Sequence, residues 1–237
     1  MADEEGIYES EGNFVFPLRG LFPPAALREA RQRASAVFSS LGDGEVETLN
    51  PRAKIQGVAP DAERLREEWF DPWRVADLTP LLARCGPLDQ LTYPPQLRFI
   101  RESKHRVPWH QDLAYQGSMQ RGHEHVATVF VPLEEEPADH ATIEFGVGAF
   151  DRPLEHHDAG VFHNALDDDR FPERRSFDLA LGDALFFGAL IPHRTYLPAG
   201  CQLERYSLEY RLTRRDGVIP GKDYFDLRSL AFYQATP

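Results

Sequence analysis

The sequence predicts a mainly β protein, an antiparallel sandwich or barrel preceded by a helical N-terminal part. Helical periodicity of apolar residues is found within residues 1–92, whereas short β-favouring runs separated by turn residues fill residues 93–237. The 237 residues contain no internal repeat, low-complexity tract or long Gly/Ser linker. We therefore expect a single domain over 1–237, in which 1–92 is mostly helical and 93–237 forms the β core.

The first predicted helix begins after Pro23 and Pro24 and ends near Gly42, because proline suits the first helical turn and glycine the end. Its apolar residues recur three and four positions apart and form one stripe: Leu27, Ala30, Ala34, Val37, Phe38 and Leu41. Three further helices are predicted, from about Asp61 to Phe70, after Asp71-Pro72 and after Thr79-Pro80.

The β-favouring runs are Leu97 to Ile100, Val126 to Leu133, Thr142 to Val147, Ala184 to Ile191 and Arg205 to Leu212. The run from Val126 is apolar on both faces, which predicts a central strand. The run from Arg205 alternates strictly between polar and apolar residues, so we expect its polar side chains on one side only.

The charge balance argues against two classes of partner. Lys and Arg number 26 and Asp and Glu 38, so the formal net charge is −12, which disfavours nucleic acid and anionic membranes. The apolar stretch Leu179 to Pro192 is interrupted and shorter than the ~20 residues that span a bilayer. The acidic N-terminus lacks the features of a secretory signal, so we expect a cytoplasmic protein with no membrane segment. Cys85 and Cys201 are expected to be structural thiols.

The candidate catalytic centre is a set of two histidines and one carboxylate. In an extended segment His110 and Asp112 would lie on the same face, because side chains alternate with period two. His193 follows an apolar run, as a residue at the end of a buried strand would. Two histidines and a carboxylate form the facial triad of non-heme Fe(II) oxygenases. The sequence therefore predicts an iron site.

A possible co-substrate site follows on the last of the β-favouring runs. The Arg205 guanidinium could bind a carboxylate in bidentate fashion, and Ser207 faces the same way. This arrangement would hold a dicarboxylate. Arg211 lies on the same predicted face and is the alternative arginine.

In their order along the chain, these motifs resemble the phytanoyl-CoA dioxygenase family of Fe(II)/2-oxoglutarate-dependent oxygenases. The resemblance covers nearly the whole chain and rests on residues 13–24, Trp109-His-Gln-Asp-Leu-Ala-Tyr115, Val129 to Leu133, Gly182-Asp183, His193 and Arg205. It implies a double-stranded β-helix, a cupin-like jelly roll with helices packed outside.

The resemblance also implies a role for each matching residue. His110, Asp112 and His193 would bind Fe(II), and Arg205 would bind the distal carboxylate of 2-oxoglutarate. Gln96 and Arg98 match a Gln-x-Arg pair that helps hold the co-substrate in relatives such as ectoine hydroxylase. O2 is the third reactant.

Two features of the chain qualify this resemblance. Many family members have an Asn-Gly-x-Leu stretch followed by Pro-Gly-Ser-His, but the corresponding residues 139–150 differ here, which argues against transferring a substrate from known relatives. Relatives that halogenate carry a small residue in place of the carboxylate. Because Asp112 is present, halogenation is disfavoured.

Several other residues near these motifs need an interpretation. His123 and His125 form a rival His-x-His pair, which we interpret as a loop or pocket pair because no carboxylate follows within a few residues. Residues 151–175, which include Asp167 to Asp169, lack periodicity and are expected to form a loop. We expect His156, His157 and His163 to be solvated loop residues, with a lid as the alternative. Aromatic residues beside the candidate ligands are expected either in the core or in the substrate pocket: Trp109, Tyr115 and Phe187.

The expected function is oxidation, by hydroxylation, of an unactivated C–H bond in a free small molecule. A composition rich in Ala, Arg, Pro and Gly is typical of high-GC bacteria, in which such enzymes often tailor natural products. The alternatives are a metal-dependent isomerase or hydrolase and a non-catalytic ligand-binding barrel on the same fold. We expect a monomer or a homodimer.

Overall fold

A computed structural model describes residues 6–39, 68–93, 95–100, 107–115, 126–137, 143–159, 162–196 and 204–236. The helices are α1 (Pro24–Ser39), α2 (Asp71–Arg74), α3 (Thr79–Cys85) and α4 (Asp112–Tyr115). The strands are β1 (Ile7–Ser10), β2 (Asn13–Leu18), β3 (Leu88–Thr92), β4 (Gln96–Ile100), β5 (Val126–Pro132), β6 (Ile143–Gly146), β7 (His157–Ala159), β8 (Phe162–Ala165), β9 (Arg174–Arg175), β10 (Ala184–Gly188), β11 (His193–Thr195), β12 (Arg205–Arg214), β13 (Asp223–Asp226) and β14 (Ala231–Gln234). No helix in these ranges is long and apolar enough to cross a membrane.

The major sheet has nine antiparallel strands, eight of which follow the order β1-β2-β10-β5-β12-β3-β13-β14. Strand β4 also pairs with β12, with Arg98 opposite Ser207 and Gln96 opposite Glu209. Strand β5 is buried along its whole length, as its two apolar faces predict. Arg211 of β12 lies directly opposite Thr128 of β5. The polar residues of β12 thus share a face with β4 and β5 side chains.

The second sheet has three strands in the order β11-β6-β9. An apolar cluster lies between the two sheets and includes Val15, Phe130 and Phe187 from the major sheet and Phe145 from β6. Two facing antiparallel sheets with a shared apolar interior form a jelly-roll core, as the sequence predicts.

Helices α1, α2 and α3 cover the outer face of the major sheet. The buried side of α1 consists of Leu27, Ala30, Ala34 and Phe38, four residues of the predicted stripe. They join a large apolar cluster that also contains Trp73 of α2 and Leu81 of α3. Packing on this outer face leaves the interior between the sheets for the candidate site.

Most predicted elements are present, with shifted ends. Helices begin at Pro24, Asp71 and Thr79, and all five predicted strands are found. The region 1–92 also contains β1, β2 and β3, which the sequence analysis did not predict because each strand is short. The predicted helix from Asp61 to Phe70 lies almost wholly outside the described residues.

The segment 151–175 contains more structure than the predicted loop. Strands β7 and β8 pair as a hairpin, and a 3-10 turn spans Asp168–Arg170. A three-residue strand is too short to show the alternation on which the prediction depended.

The structure describes one of the two cysteines. Cys85 is a free, buried thiol, as expected, and burial raises its pKa to about 11. Cys201 lies outside the described residues.

Candidate metal centre

His110, Asp112 and His193 come together between the two sheets. His110 and His193 form an antiparallel bridge in which each backbone N–H donates to the other residue's carbonyl, at 3.0 and 2.9 Å. The possible ligand atoms of the three side chains all lie within 4.8 Å of one another. Oδ1 of Asp112 is 3.8 Å from Nε2 of His110 and 3.9 Å from Nε2 of His193. All three residues are buried.

Asp112 lies on a helix and not on the extended segment that the sequence predicts. We expected His110 and Asp112 to share a face of one extended segment, but Asp112 is the first residue of helix α4. Helix α4 begins directly after the bridge at His110. Its first turn is held against the segment that follows β10, because Leu113 N–H donates to the carbonyl of Ala189 at 3.1 Å. The carboxylate therefore still faces both histidines.

Both histidines are oriented by backbone carbonyls. Nδ1 of His110 lies 2.8 Å from the carbonyl of Pro108, and Nδ1 of His193 lies 3.1 Å from that of Ile191. A carbonyl only accepts, so each Nδ1 carries the proton and each Nε2 keeps a free lone pair. Burial lowers the pKa of both imidazoles. Neutral histidines with Nε2 turned inward are the form that binds a metal.

The carboxylate of Asp112 has a partner on each oxygen. The Thr128 hydroxyl donates to Oδ2 at 2.6 Å, and the Arg211 guanidinium donates to Oδ1 at 2.9 Å. Burial alone would raise the pKa of Asp112, but the Arg211 guanidinium and the hydrogen bond from Thr128 hold that pKa below its ordinary range. Asp112 is therefore ionised.

The donor set fits a non-heme iron(II) ion. Two neutral imidazoles and one ionised carboxylate face a common point, and this is the set from which the 2-His-1-carboxylate facial triad is built. The three protein ligands leave further coordination positions for a bidentate ligand and a small molecule such as O2.

A pocket that is partly open to solvent lies beside these residues. It is lined by His110 and His193, by the charged residues Arg98, Arg194 and Glu209, by Thr195, and by four apolar residues: Ile100, Val107, Phe130 and Ile143. The histidines therefore face a space lined by both charged and apolar residues.

Glu209 is the centre of a charged group on β12 that the sequence analysis missed. It forms ion pairs with Arg98 and with Arg211, the latter at 3.3 Å. The Gln96 amide, in the orientation that satisfies its hydrogen bonds, donates to Glu209 at 3.2 Å and accepts from Arg98 at 3.2 Å. The strict alternation of β12 was the signal for Glu209, because it places Glu209 on the polar face between Ser207 and Arg211.

Arg205 lies at the other end of β12. Its NH1 donates to the carbonyl of Glu135 at 2.7 Å, and its Nε is buried with no hydrogen-bond partner in the part of the chain that the structure describes. It is six positions from Arg211 along the strand, a backbone distance of about 20 Å. The structure thus brings Arg211 to the triad, and it places Arg205 and the buried Ser207 further along the strand.

The aromatic residues named in the sequence analysis have separate positions. The Phe187 ring lies 4.8 Å from the His193 ring and belongs to the cluster between the sheets. The Trp109 side chain packs instead with Leu166 and Phe171, in a cluster behind the ligand histidines. The side chain of Tyr115, like His123 and His125, lies outside the described residues.

The segment expected to be a solvated loop contacts the ligand motif directly. Gln111, between two candidate ligands, is fully buried: its Nε2 donates to Leu190 O at 2.5 Å and its Oε1 accepts from Leu154 N–H at 2.7 Å. The Gln111 backbone N–H donates to Nε2 of His156 at 3.3 Å. Burial lowers the pKa of His156. The expectation that His156 is a solvated residue was therefore wrong.

The fold and the buried cluster define this chain structurally as a jelly-roll protein with a His-Asp-His centre. No protein-family profile matches the sequence, and no curated protein matches it either. The comparison with solved structures, in contrast, finds many similar chains.

Three of these structures illustrate the similarity. ThoJ, described as a non-heme monooxygenase, has a TM-score of 0.56 at 19% identity, over 96% of this chain and 82% of its own. AviO1 from Streptomyces viridochromogenes Tue57 has a TM-score of 0.54 at 14% identity, over 90% and 94%. HygX from Streptomyces hygroscopicus, solved with nickel and 2-oxoglutarate bound, has a TM-score of 0.53 at 14% identity, over 85% and 82%. At such identities the likeness establishes a shared fold.

Proposed function

We propose that the protein is a non-heme Fe(II)/2-oxoglutarate-dependent dioxygenase that hydroxylates a C–H bond of a small molecule. The observation that carries this proposal is the buried cluster of His110, Asp112 and His193, whose two histidines line a pocket. The proposal includes membership of the phytanoyl-CoA dioxygenase family, on the motifs given above. The descriptions of ThoJ as a non-heme monooxygenase and of HygX with 2-oxoglutarate bound support the same reaction class.

The three candidate ligands would hold the metal from one side. Nε2 of His110, Nε2 of His193 and Oδ1 of Asp112 are the atoms that face one another. When bound, Fe(II) would supply the oxidation, in which 2-oxoglutarate is converted to succinate and CO2, one atom of O2 enters succinate, and the other converts the substrate C–H bond to an alcohol. Thr128 would keep the carboxylate oriented through its bond to Oδ2.

Arg211 is our candidate for the distal carboxylate of 2-oxoglutarate. Its NH2 is already within 2.9 Å of Asp112, and its NH1 is buried with no hydrogen-bond partner among the described residues. A buried guanidinium N–H without an acceptor is costly, and an incoming carboxylate would satisfy it. Arg205 and Ser207, predicted from the sequence for this role, remain the alternative site, and the distance of Arg205 from the triad counts against it.

Arg98 and Gln96 would contact the co-substrate or the substrate near the metal. Arg98 lines the pocket together with both histidines, and Glu209 holds its guanidinium. A fixed guanidinium beside a metal site can bind a carboxylate or a polar substrate group.

The apolar residues that line the pocket would contact the carbon skeleton of the substrate and orient it. They are Ile100, Val107, Phe130 and Ile143. We propose a role in tailoring a natural product. The description of another similar structure, SnoN, as an epimerase from nogalamycin biosynthesis supports this, at a TM-score of 0.53 and 12% identity over 90% of this chain and 80% of its own.

The decisive experiment is an anaerobic titration of the metal-free protein with Fe(II) and 2-oxoglutarate, which needs no knowledge of the substrate. We expect a visible metal-to-ligand charge-transfer band in the wild type and none in His110→Ala. Circular dichroism of both proteins checks that the variant is folded.

A folded wild-type protein that binds the metal but shows no band would contradict the proposal. It would favour a metal-dependent isomerase, a hydrolase or a binding protein on the same fold. Turnover of a ligand without O2 would then separate the two enzymes from the binding protein.

A further inference from the structure

Behind the two histidines, Trp109 and Arg194 face each other across the bridge. Because His110 pairs with His193 in antiparallel register, Trp109 lies opposite Arg194. Side chains of neighbouring residues in paired strands point to opposite faces, so this pair lies on the face away from the ligand atoms. The Arg194 guanidinium carbon is 4.9 Å from the centre of the Trp109 ring, within cation–π range.

One carboxylate joins the two side chains. Oδ1 of Asp168 accepts from Nε1 of Trp109 and from NH1 of Arg194, both at 2.6 Å. Oδ2 of Asp168 is 3.3 Å from NH2 of Arg174. A single oxygen atom of Asp168 therefore contacts both Trp109, which precedes His110 in the chain, and Arg194, which follows His193.

The position of Asp168 is unusual for a purely structural residue. Its side chain is 62% exposed, whereas Trp109 is 2% exposed. An exposed carboxylate contributes little to the packing of the core. The Asp168 carboxylate nevertheless accepts two short hydrogen bonds, one from the Trp109 indole and one from the Arg194 guanidinium. Its pKa is held below the ordinary value by Trp109, Arg194 and Arg174 against the effect of burial, so it is ionised.

We propose that Asp168 is a positioning residue for the metal centre. By holding Trp109 and Arg194 together, it fixes the relative orientation of His110 and His193 on the opposite face. This inference rests on the proposed function, because it assigns a residue to the same metal site. The third candidate ligand is not involved, because Thr128 and Arg211 hold Asp112.

The test measures metal affinity rather than turnover. Metal-free full-length protein is titrated with Co(II), and the ligand-field absorption in the visible range is followed. We expect Asp168→Ala to raise the Kd for Co(II) by about 10- to 100-fold, the range typical of residues that orient metal ligands. Asp168→Asn keeps an oxygen acceptor but loses the charge, and we expect a smaller rise of about 3- to 10-fold.

Asp169→Ala is the matched control. Asp169 lies in the same 3-10 turn and makes no hydrogen bond or ion pair with any residue that the structure describes, so we expect the wild-type Kd. The melting temperature of each metal-free variant is measured in parallel. A role confined to the stability of the segment would lower that temperature in Asp168→Ala and leave the Kd unchanged.

The inference is overturned if both Asp168 variants bind Co(II) as tightly as the wild type. Should Asp168→Ala not fold, Asp168→Asn decides alone. If the wild type itself binds no Co(II), the proposed function fails and the inference falls with it, and this result is distinguishable from a loss confined to the Asp168 variants.

Discussion

The guanidinium of Arg211 lies 2.9 Å from Oδ1 of Asp112, the same carboxylate oxygen that faces Nε2 of both histidines. Arg211 thus compensates a buried negative charge at the point where a metal ion would bind. The residues that would hold metal and co-substrate contact each other directly, so changes to either should affect binding of both ligands.

Removal of the carboxylate should abolish metal binding without unfolding the protein. We expect Asp112→Ala to lower Fe(II) affinity by at least about 100-fold, because the loss of a ligand exceeds the loss of a residue that orients one. Hydroxylation should disappear with it. Equilibrium dialysis against Fe(II) measures the first effect, and unchanged circular dichroism confirms the fold. Wild-type metal affinity in this variant would remove Asp112 from the coordination sphere.

The choice between the two arginines can be made by co-substrate titration. Arg211→Ala should raise the half-saturating concentration of 2-oxoglutarate by about 10- to 100-fold, since a hydrogen bond to a charged group contributes about 1.5–3 kcal/mol. Arg211→Lys should recover part of this affinity, because it keeps the charge. Arg205→Ala is the matched control and should leave the titration unchanged. The reverse pattern would assign the site to Arg205 and Ser207, as the sequence predicts.

Gln111 should be important for stability. Its side chain bonds the carbonyl of Leu190 and the N–H of Leu154 in a fully buried position. Gln111→Ala leaves both backbone groups without a partner, and we expect the free energy of unfolding to fall by about 2–4 kcal/mol. Urea denaturation measures this change. Gln32→Ala, at an exposed position of α1, should alter stability by less than about 0.5 kcal/mol; a similar loss in both variants would contradict the account.

The two buried histidines should make the metal-free protein sensitive to mild acid. Burial lowers their folded-state pKa values, whereas in the unfolded chain histidine titrates near about 6.5. Below that pH the unfolded state binds protons that the folded state does not, so stability falls as pH falls. Each such group contributes a slope of up to about 1.4 kcal/mol per pH unit.

Urea denaturation of the metal-free protein between pH 7 and pH 5 tests this expectation. His193→Gln should show a shallower decline than the wild type. His156, which is also shifted downward, remains in both proteins and does not affect the comparison. Equal slopes would show that His193 is not the group responsible.

The parts of the fold that the sequence predicts are those with strong local patterns. The stripe from Leu27 to Phe38 and the apolar run of β5 each carry enough residues to reveal their periodicity. The hairpin of β7 and β8 pairs residues that are close in the chain, but its strands have only three and four residues. Strands this short leave no periodicity to detect.

The candidate site likewise contains residues that the sequence predicts and residues that it does not. The spacing of His110 and Asp112, followed by His193, was visible in the sequence, and the structure brings the three together. The choice between Arg205 and Arg211 could not be made from the sequence, because their spacing along the chain from His193 does not reveal which end of β12 lies beside the triad. Thr128 and Asp168 act through contacts between distant segments, which no motif within one segment records.

The backbone bridge between His110 and His193 joins segments that are far apart in the chain. A metal bound to both imidazoles would therefore cross-link the three-stranded sheet to the chain that leads into α4. Because the unfolded chain would bring these ligands together only rarely, the ion would favour the native state and oppose separation of the two segments. The candidate metal centre would then also stabilise the fold, and the lifetime of the folded protein would depend on the supply of its metal.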